Sequence, residues 1–411
     1  MAKEKLTELK GGMARFEGVG TVQIGADTFK GASCKEDSFW NSVNTSLALN
    51  IKEGQVVYPQ IRDGYMTNNP VLKRPRAERK DGDDYLIEIP FAERMEEEQI
   101  AKVASHALYK TNIVKNEEGV SEIIRNSEGK TALKQFISGV DFEAYLKENL
   151  VDGTPVRIVG SVAYSLSKDG EKVYRNFEIS GVYLNQAYMK NGEEVPAAEP
   201  SATITQTYLL DADSLDKRWE KELENDGQTT VRAFVPQYMS KMWDGKKYAE
   251  VKKTVALPTT FLVKVDPTDE KALEGRKNVA KMILKVGKRD GIREATLINT
   301  INEGYETGNL STTNITKELQ DLIDIGGISL DQIQSQTVVR GTRVSETIFK
   351  TPSVVADGES LRLNIEDGKY DESVLALPVF DNDEDVATSS SASEPFDAGM
   401  NDQALAELFG M

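Results

Sequence analysis

Apolar and polar residues alternate with a period of two along several stretches of this chain, and that period predicts strands. Arg15–Gly25 (RFEGVGTVQIG) alternates in this way. Trp40–Ile51 places Val43, Leu47 and Leu49 among polar residues; a Lys-Glu-Gly turn follows, and Gln55–Ile61 reads as the returning strand. The clearest signal covers Thr154–Leu184, two alternating strands joined by a Lys-Asp-Gly turn. Val156, Ile158 and Gly160 share one face of the first strand, with Arg157, Val159 and Ser161 opposite. The second carries Phe177 and Ile179, then Val182 and Leu184, and Gly181 between them marks a bulge. Farther on, Ala202–Leu210, Thr229–Tyr238, Thr259–Val265 and Ala280–Val286 read as strands, and a Lys-Arg-Asp-Gly turn leads into Ile292–Ile301.

A helical period marks three other stretches. Phe91–Lys110 spaces Met95, Ile100, Val103 and Leu108 for one helix face. Asp141–Gly153 is a shorter helix ending near Asp152–Gly153, and Thr316–Gly327 carries Leu319, Leu322 and Ile323 before a glycine stop. Asn68–Asp84 (NNPVLKRPRAERKDGDD) reads as a polar loop. The predicted fold class is mainly β with helical additions (α+β). The expected organisation is a β domain over 1–190 with a helical and loop insert around 63–150, and a linker over 191–201. A second β domain follows over 202–350, with its helix at 316–327, then a connecting segment over 351–370 and a disordered acidic tail over 371–411. No sequence repeat relates the two β domains, only a shared order of strands.

Composition narrows the classes. The chain has 411 residues and 39% hydrophobic residues, enough for sizeable cores. No apolar run approaches the roughly 20 residues of a spanning helix. The first residues, MAKEKLTELKGG, have no apolar segment behind them, so the expected compartment is the cytoplasm, with no membrane partner. Cys34 is the one cysteine and is expected to be a small buried residue; His106 is the one histidine, expected as a partly buried helix residue. No cofactor and no metal site is expected. The net charge is −17. No Lys or Arg follows Lys369, whereas ten Asp or Glu lie between Asp371 and Glu407; taking those ten from the total leaves −7 on the body. Any polyanion must therefore be met by local basic clusters.

The helix-then-hairpin element around Gly153, Val156, Ile158, Gly160 and Val162 resembles the closing part of an OB-fold, in which a helix precedes a strand of this glycine-valine spacing and an antiparallel strand closes the small barrel. The resemblance implies OB-type β-barrels, two of them here: one from 12–62 and 154–186 around the insert, the other from 202–301. OB barrels bind single strands on an open face, with aromatics stacking bases and Lys or Arg tracking phosphates. This hairpin offers Tyr164, Tyr174 and Phe177 beside Arg157, Lys168, Lys172 and Arg175. Lys73, Arg74, Arg76, Arg79 and Lys80 crowd one loop, and Lys285, Lys288 and Arg289 flank the later turn with Lys281 and Arg293. Lys241, Lys246, Lys247, Lys252 and Lys253 interleave with Tyr238, Trp243 and Tyr248, and this mixture of rings and cations is the more informative cluster. Phe39 and Trp40 form a smaller site of the same kind.

The tail ends in ALAELFGM, an apolar tip on an acidic, serine-containing stretch. It resembles the C-terminal tails of bacterial and bacteriophage single-stranded-DNA-binding proteins. The resemblance implies that Asp402, Glu407, Leu408, Phe409 and Met411 dock on replication or recombination proteins and that the acidic stretch competes with DNA. The tip departs from the Pro-Phe ending of bacterial members. Sequence motifs of P-loop ATPases, zinc proteases and serine hydrolases are absent, and the expected protein is not an enzyme. Two rivals remain: a phage virion or assembly protein whose β domains bind proteins, and a metal-dependent nuclease using Asp81, Asp83 and Asp84.

Overall fold

A computed structural model describes residues 5–78, 84–190, 193–307, 317, 323, 340–358 and 360–378. The fold is mainly β with a few short helices, and most of its strands belong to one large sheet. The chain runs twice through the same order of elements. The first pass is β1 (Ala14–Gln23), a long hairpin, α1 (Gly139–Asn149) and a second hairpin, β6 (Pro155–Leu166) with β7 (Val173–Leu184). The long hairpin has one arm made of β2 (Trp40–Ser46) and β3 (Ala48–Lys52), and another made of β4 (Gln55–Val57) and β5 (Gln60–Met66). The second pass is β8 (Ser201–Leu210), the hairpin of β9 (Gln228–Trp243) with β10 (Tyr248–Lys264), α2 (Glu270–Ile283), β11 (Arg293–Thr307) and β12 (Arg340–Pro352).

Strand pairing closes on itself in each pass. In the first, β1 pairs with β3, the long hairpin returns through β5, β5 meets β7 in parallel at Gln60↔Glu178, β7 pairs with β6, and β6 pairs with β1. In the second, β8 meets β9 at Leu209↔Phe234, β9 pairs with β10, β10 meets β12 in parallel at Leu262↔Ile348, β12 pairs with β11, and β11 pairs with β8. Each cycle therefore visits its strands in the order first, second, third, fifth, fourth, first, with a helix between the third and the fourth.

Local chemistry explains these elements. Alternate residues of β6 and β8 point inward: Val156, Ile158, Ile204 and Tyr208 are all buried. Ser138 caps α1 by accepting from the Val140 amide, and α1 buries Phe142 and Leu146. Asp269 caps α2 by accepting from Ala272, and α2 buries Ala280 and Ile283. One continuous core serves both passes, with Phe16 stacked on Phe177 at 4.4 Å between ring centroids.

The two passes are joined edge to edge. Residues Ala14–Val19 of β1 pair antiparallel with Ser201–Gln206 of β8, while the far end of β1 pairs with β3. An antiparallel pair has a local two-fold axis, and the rest of the fold follows it. The β3–β4 turn reaches across to β11 at Gln55↔Gly304, and in return the β9–β10 hairpin reaches the β6–β7 hairpin.

Several expectations need correction. Ala280–Val286 is not a strand: Leu273, Val279, Ala280 and Ile283 recur at helical spacing, and α2 runs to Ile283. The strand that closes the second cycle is Arg340–Pro352, beyond the expected 202–301. Phe91–Lys110 is broken into a turn at Phe91–Glu93, a helix at Glu97–Lys102, a turn at Ser105–Ala107 and a strand at Tyr109–Thr111; His106 is exposed in the second turn. The expected loop at 68–84 contains Val71–Pro75, paired with Leu86–Pro90, because Leu72, Ile87 and Ile89 bury a small core of their own. Cys34 is exposed. The segment 351–370 forms a hairpin, Val354–Asp357 with Ser360–Leu363, and an edge strand, Ile365–Asp367. Residues 371–378 do not belong to a disordered tail: Glu372–Leu375 is a helical turn, and Tyr370 and Val374 are buried over β8 and β10 beside Leu209 and Ala256. The helix at 316–327, apart from positions 317 and 323, and the tail from 379 lie outside the described residues.

Close approach of strands fixes Gly160. A methyl group on Gly160 would overlap the Glu178 carbonyl oxygen, where β7 carries the extra residue Ser180 opposite β6. Gly160→Ala is expected to cost about 1–3 kcal/mol, the usual overpacking range, read as a lowered melting temperature. Gly25→Ala, with open space around its Cβ position, is the control and should shift melting little. Equal melting of the two variants would refute the close approach.

Candidate nucleic-acid interface

The two passes meet at the ends of two long hairpins, and there the chain concentrates rings and cations. The β6–β7 turn is Ser167–Lys172. The Asp169 carboxylate accepts from the Ser167 hydroxyl and the Glu171 amide, which holds its pKa below the usual range, and Gly170 supplies the positive φ of 74°. The β9–β10 turn is Asp244–Lys247. Asp244 accepts from the amides of Lys247 and Lys246, both at 2.7 Å, and these bonds likewise lower its pKa; Gly245 has φ of 102°. In both turns the acid is engaged with its own loop, while the neighbouring lysines, Lys168, Lys172, Lys246 and Lys247, stand exposed.

The hairpins touch. Lys168 Nζ lies 5.1 Å from the centre of the Trp243 ring, and Tyr248 meets the same indole edge-on at 5.2 Å. Deeper in the contact, the Tyr164 amide donates to Gln237 Oε1 at 3.1 Å. Tyr238, next in the chain, is 50% exposed, and Tyr174, two residues past the other turn, is 41% exposed. Trp243 and Tyr248 are half-buried. The two half-buried rings Trp243 and Tyr248, with exposed lysines beside them, can stack planar bases and contact phosphates together.

A bulge aims the outer part of the β9–β10 hairpin. Between the pairs Met239↔Lys253 and Lys241↔Glu250, β9 has only Ser240 where β10 has Val251 and Lys252. Lys252 takes a left-handed φ of 44°, alone in this among the described residues other than glycine. A lysine held there stores roughly 1–2 kcal/mol of strain.

The other expected site residues divide sharply. Tyr164 and Phe177 are core residues; burial pushes the Tyr164 phenol up to about 12. Arg74 is buried and bonds Asp63 at 2.6 Å and the Ile137 carbonyl at 3.0 Å. Arg175 bridges to Glu303 and Thr347 of the second pass, and Arg157 makes a two-pronged pair with Glu17, both bonds at 3.0 Å. Lys73 pairs with Glu88 at 3.0 Å and Arg76 donates to the Asp84 carbonyl. These cations are committed to the fold. Lys285, Lys288 and Arg289 are exposed in a separate place, where Lys288 shares a cleft with Asp211, Asp213 and Glu372. Phe39 is 60% exposed, and Trp40 lies over Gly64, where a methyl group would strike its ring. Arg79, Lys80, Asp81, Asp83 and the tail residues Asp402, Glu407, Leu408, Phe409 and Met411 lie outside the described residues. Gln237, Asp169, Asp244 and Gly64 also shape these surfaces. The Lys-Asp-Gly signal marks the turn at Ser167–Lys172, and the Asp244–Gly245 dipeptide is a signal of the same kind that could have marked the other, but nothing local signals that Gln237 faces Tyr164.

No helix among the described residues is long and apolar enough to cross a membrane, and among them no three His, Cys, Asp or Glu side chains converge as a metal site would require. No protein-family model matches the chain, and no curated protein matches it.

The bulge gives a test of the hairpin's geometry. Lys252→Gly should raise stability by about 0.5–1 kcal/mol, because glycine accepts the left-handed conformation. Lys253→Gly, in the adjoining extended position, should lower it by about the same amount. Chemical denaturation compares them, and a destabilised Lys252→Gly would contradict the bulge.

Proposed function

We propose that this chain binds single-stranded DNA with little sequence preference, on a surface made where its two hairpin ends meet. Each closed cycle of five strands, with its helix between the third and the fourth, matches the plan of an OB barrel, a fold that holds oligonucleotides on its second and third strands and adjacent loops. The observation that carries the reading is the contact of Lys168 with Trp243, which makes one aromatic and cationic patch from two turns far apart in sequence. Trp243, Tyr248, Tyr174 and Tyr238 stack bases; Lys168, Lys172, Lys246 and Lys247 meet phosphates. Trp40 and Phe39 extend the platform over the first barrel. The protein serves DNA replication, recombination or repair in the cytoplasm, in a bacterial host where the chain is phage-encoded. Its acidic C-terminal stretch competes with DNA and its tip recruits partner proteins. The segment Asp371–Leu375 seats the start of that stretch on β10, the strand that carries Tyr248, Lys252 and Lys253.

Tryptophan fluorescence titrated with an unstructured deoxyoligonucleotide reads the binding. Trp243→Ala should weaken it about five- to a hundred-fold, the span of one lost stacking contact of roughly 1–3 kcal/mol. Lys246→Ala with Lys247→Ala should flatten the dependence of log affinity on log salt by about 0.7 per lost phosphate contact. A chain that shows no binding at low salt, or binds duplex equally well, would defeat the reading.

Removal of residues 379–411 should raise apparent affinity for the same oligonucleotide, because a tethered polyanion competes at high effective concentration. A gel-shift series at two salt concentrations measures it. Unchanged or weaker binding by the shortened chain would remove the competition.

A further inference from the structure

The two passes differ most between their third strand and their helix. The second covers that connection with residues 265–269; the first inserts 67–138. The insert walls a groove of about 870 Å3 against α1. Ile123, Ile124 and Leu133 form apolar lining; exposed Lys134 stands on it, with Arg125, which is oriented by one bond from its guanidinium to the Gly129 carbonyl at 2.9 Å, and with Glu122 beside them. Lys134 Nζ sits 4.3 Å from the centre of the Tyr145 ring, whose hydroxyl is fixed by donation to the Ile113 carbonyl at 2.9 Å. Leu133 is 49% exposed although it lines the groove. Apolar surface set beside two cations fits a short peptide that presents apolar side chains next to carboxylates.

We infer that this groove takes the chain's own segment Ala404–Met411. That segment sets Leu405, Leu408 and Phe409 around Glu407, with Asp402 just ahead, and no Lys or Arg accompanies it anywhere after Lys369. The complementarity is double: leucine and phenylalanine against the isoleucine and leucine lining, Glu407 and Asp402 against Arg125 and Lys134. Reach is no obstacle. From Pro378, the last described residue, about 30 residues lead to Leu408, an extended span of roughly 100 Å. A folded body of this size is only about 55 Å across. Tethering supplies an effective concentration near the millimolar range, so a weak site is enough. The docked segment adds an apolar ridge over Leu133 and places carboxylates beside both cations. None of this depends on DNA binding, and it stands or falls separately from that activity.

The test compares the full chain with a full chain carrying Leu408→Asp and Phe409→Asp, by hydrogen exchange. Residues 121–125 and 133–136 should exchange faster in the variant, while the turns at 167–172 and 244–247 stay as they were. No change in the groove, or a change confined to those turns, overturns the inference. A fluorescent ALAELFGM peptide supplies the second measurement. It should bind the Leu408→Asp/Phe409→Asp chain saturably, and Arg125→Glu with Lys134→Glu, both surface substitutions, should weaken that binding at least ten-fold. Peptide binding indifferent to the groove substitutions assigns the segment elsewhere. Groove protection that rises with protein concentration, together with a doubled mass by light scattering, means that another copy's segment fills the groove and refutes the intramolecular form.

Discussion

The antiparallel ladder between β1 and β8 is the constraint on which the molecule rests. Its six paired residues on each strand join the two cycles by covering the stretches of β1 and β8, Ala14–Val19 and Ser201–Gln206, that the pairings within each cycle leave open on one side. Neither strand is dispensable to its own cycle, since β1 also pairs with β6 and β3, and β8 with β11 and β9. Both strands turn the same face inward at this ladder, Phe16 opposite Ile204, so the two cores merge into one. The ladder's register also decides where everything distant falls. A slip of one residue would turn either Phe16 or Ile204 to the solvent face, and the hairpins that meet at Lys168 and Trp243 would miss.

That dependence explains why the candidate surface belongs to neither pass alone. The β6–β7 turn brings lysines and one exposed tyrosine; the β9–β10 turn brings the tryptophan, two tyrosines and more lysines. The anionic total is no obstacle at this range. At physiological salt, charges farther than about 8 Å are largely screened from one another, so the patch is governed by its own cations. Asp169 and Asp244 lie within it, but each is satisfied by bonds to its own turn. The arginines tell the complementary story. Arg74, Arg157 and Arg175 have carboxylate partners within the fold, and the exposed cations of the patch are lysines. Guanidinium suits paired, partly buried geometry, and ammonium suits a solvated surface.

Much of the β framework was legible because it rests on local rules. The hairpins at 40–61 and 154–184, their turns, and the helix from Asp141 follow from alternation, helical spacing, and Asp-Gly and Gly signals. The cluster of Trp243, Tyr248 and lysines was also visible, since chain neighbours on a hairpin stay neighbours in space. What failed had tertiary causes. Val279, Ala280 and Ile283 suit either period, and only the core beneath them selects the helix. The hairpin at Val71–Pro75 is hidden in a polar stretch because only one apolar residue of that strand, Leu72, is buried. Tyr164 and Tyr174 lie near the same turn, yet one is core and one is exposed, and only the packing of Tyr164 against the second pass separates them. Arg74 reads as part of a basic cluster until Asp63 is placed beside it.

The closing segment shows how two passes of one plan came to serve different ends. In the second pass the outer side of the second and third strands is not bare. Phe234 and Ala256 lie under Tyr370, Val374 and Leu375, with Leu9 from the start of the chain beside them. In the first pass the corresponding outer side carries Trp40 over Gly64. The same sheet geometry thus carries an intramolecular strap in one place and a half-buried ring in the other. The cluster under the strap does not include Tyr238, Trp243 or Tyr248; beyond the bulge at Val251–Lys252 the hairpin end meets the first pass through Trp243 and Lys168. The bulge and the strap therefore divide one hairpin into a base covered by the chain's own end and a tip that meets the other pass.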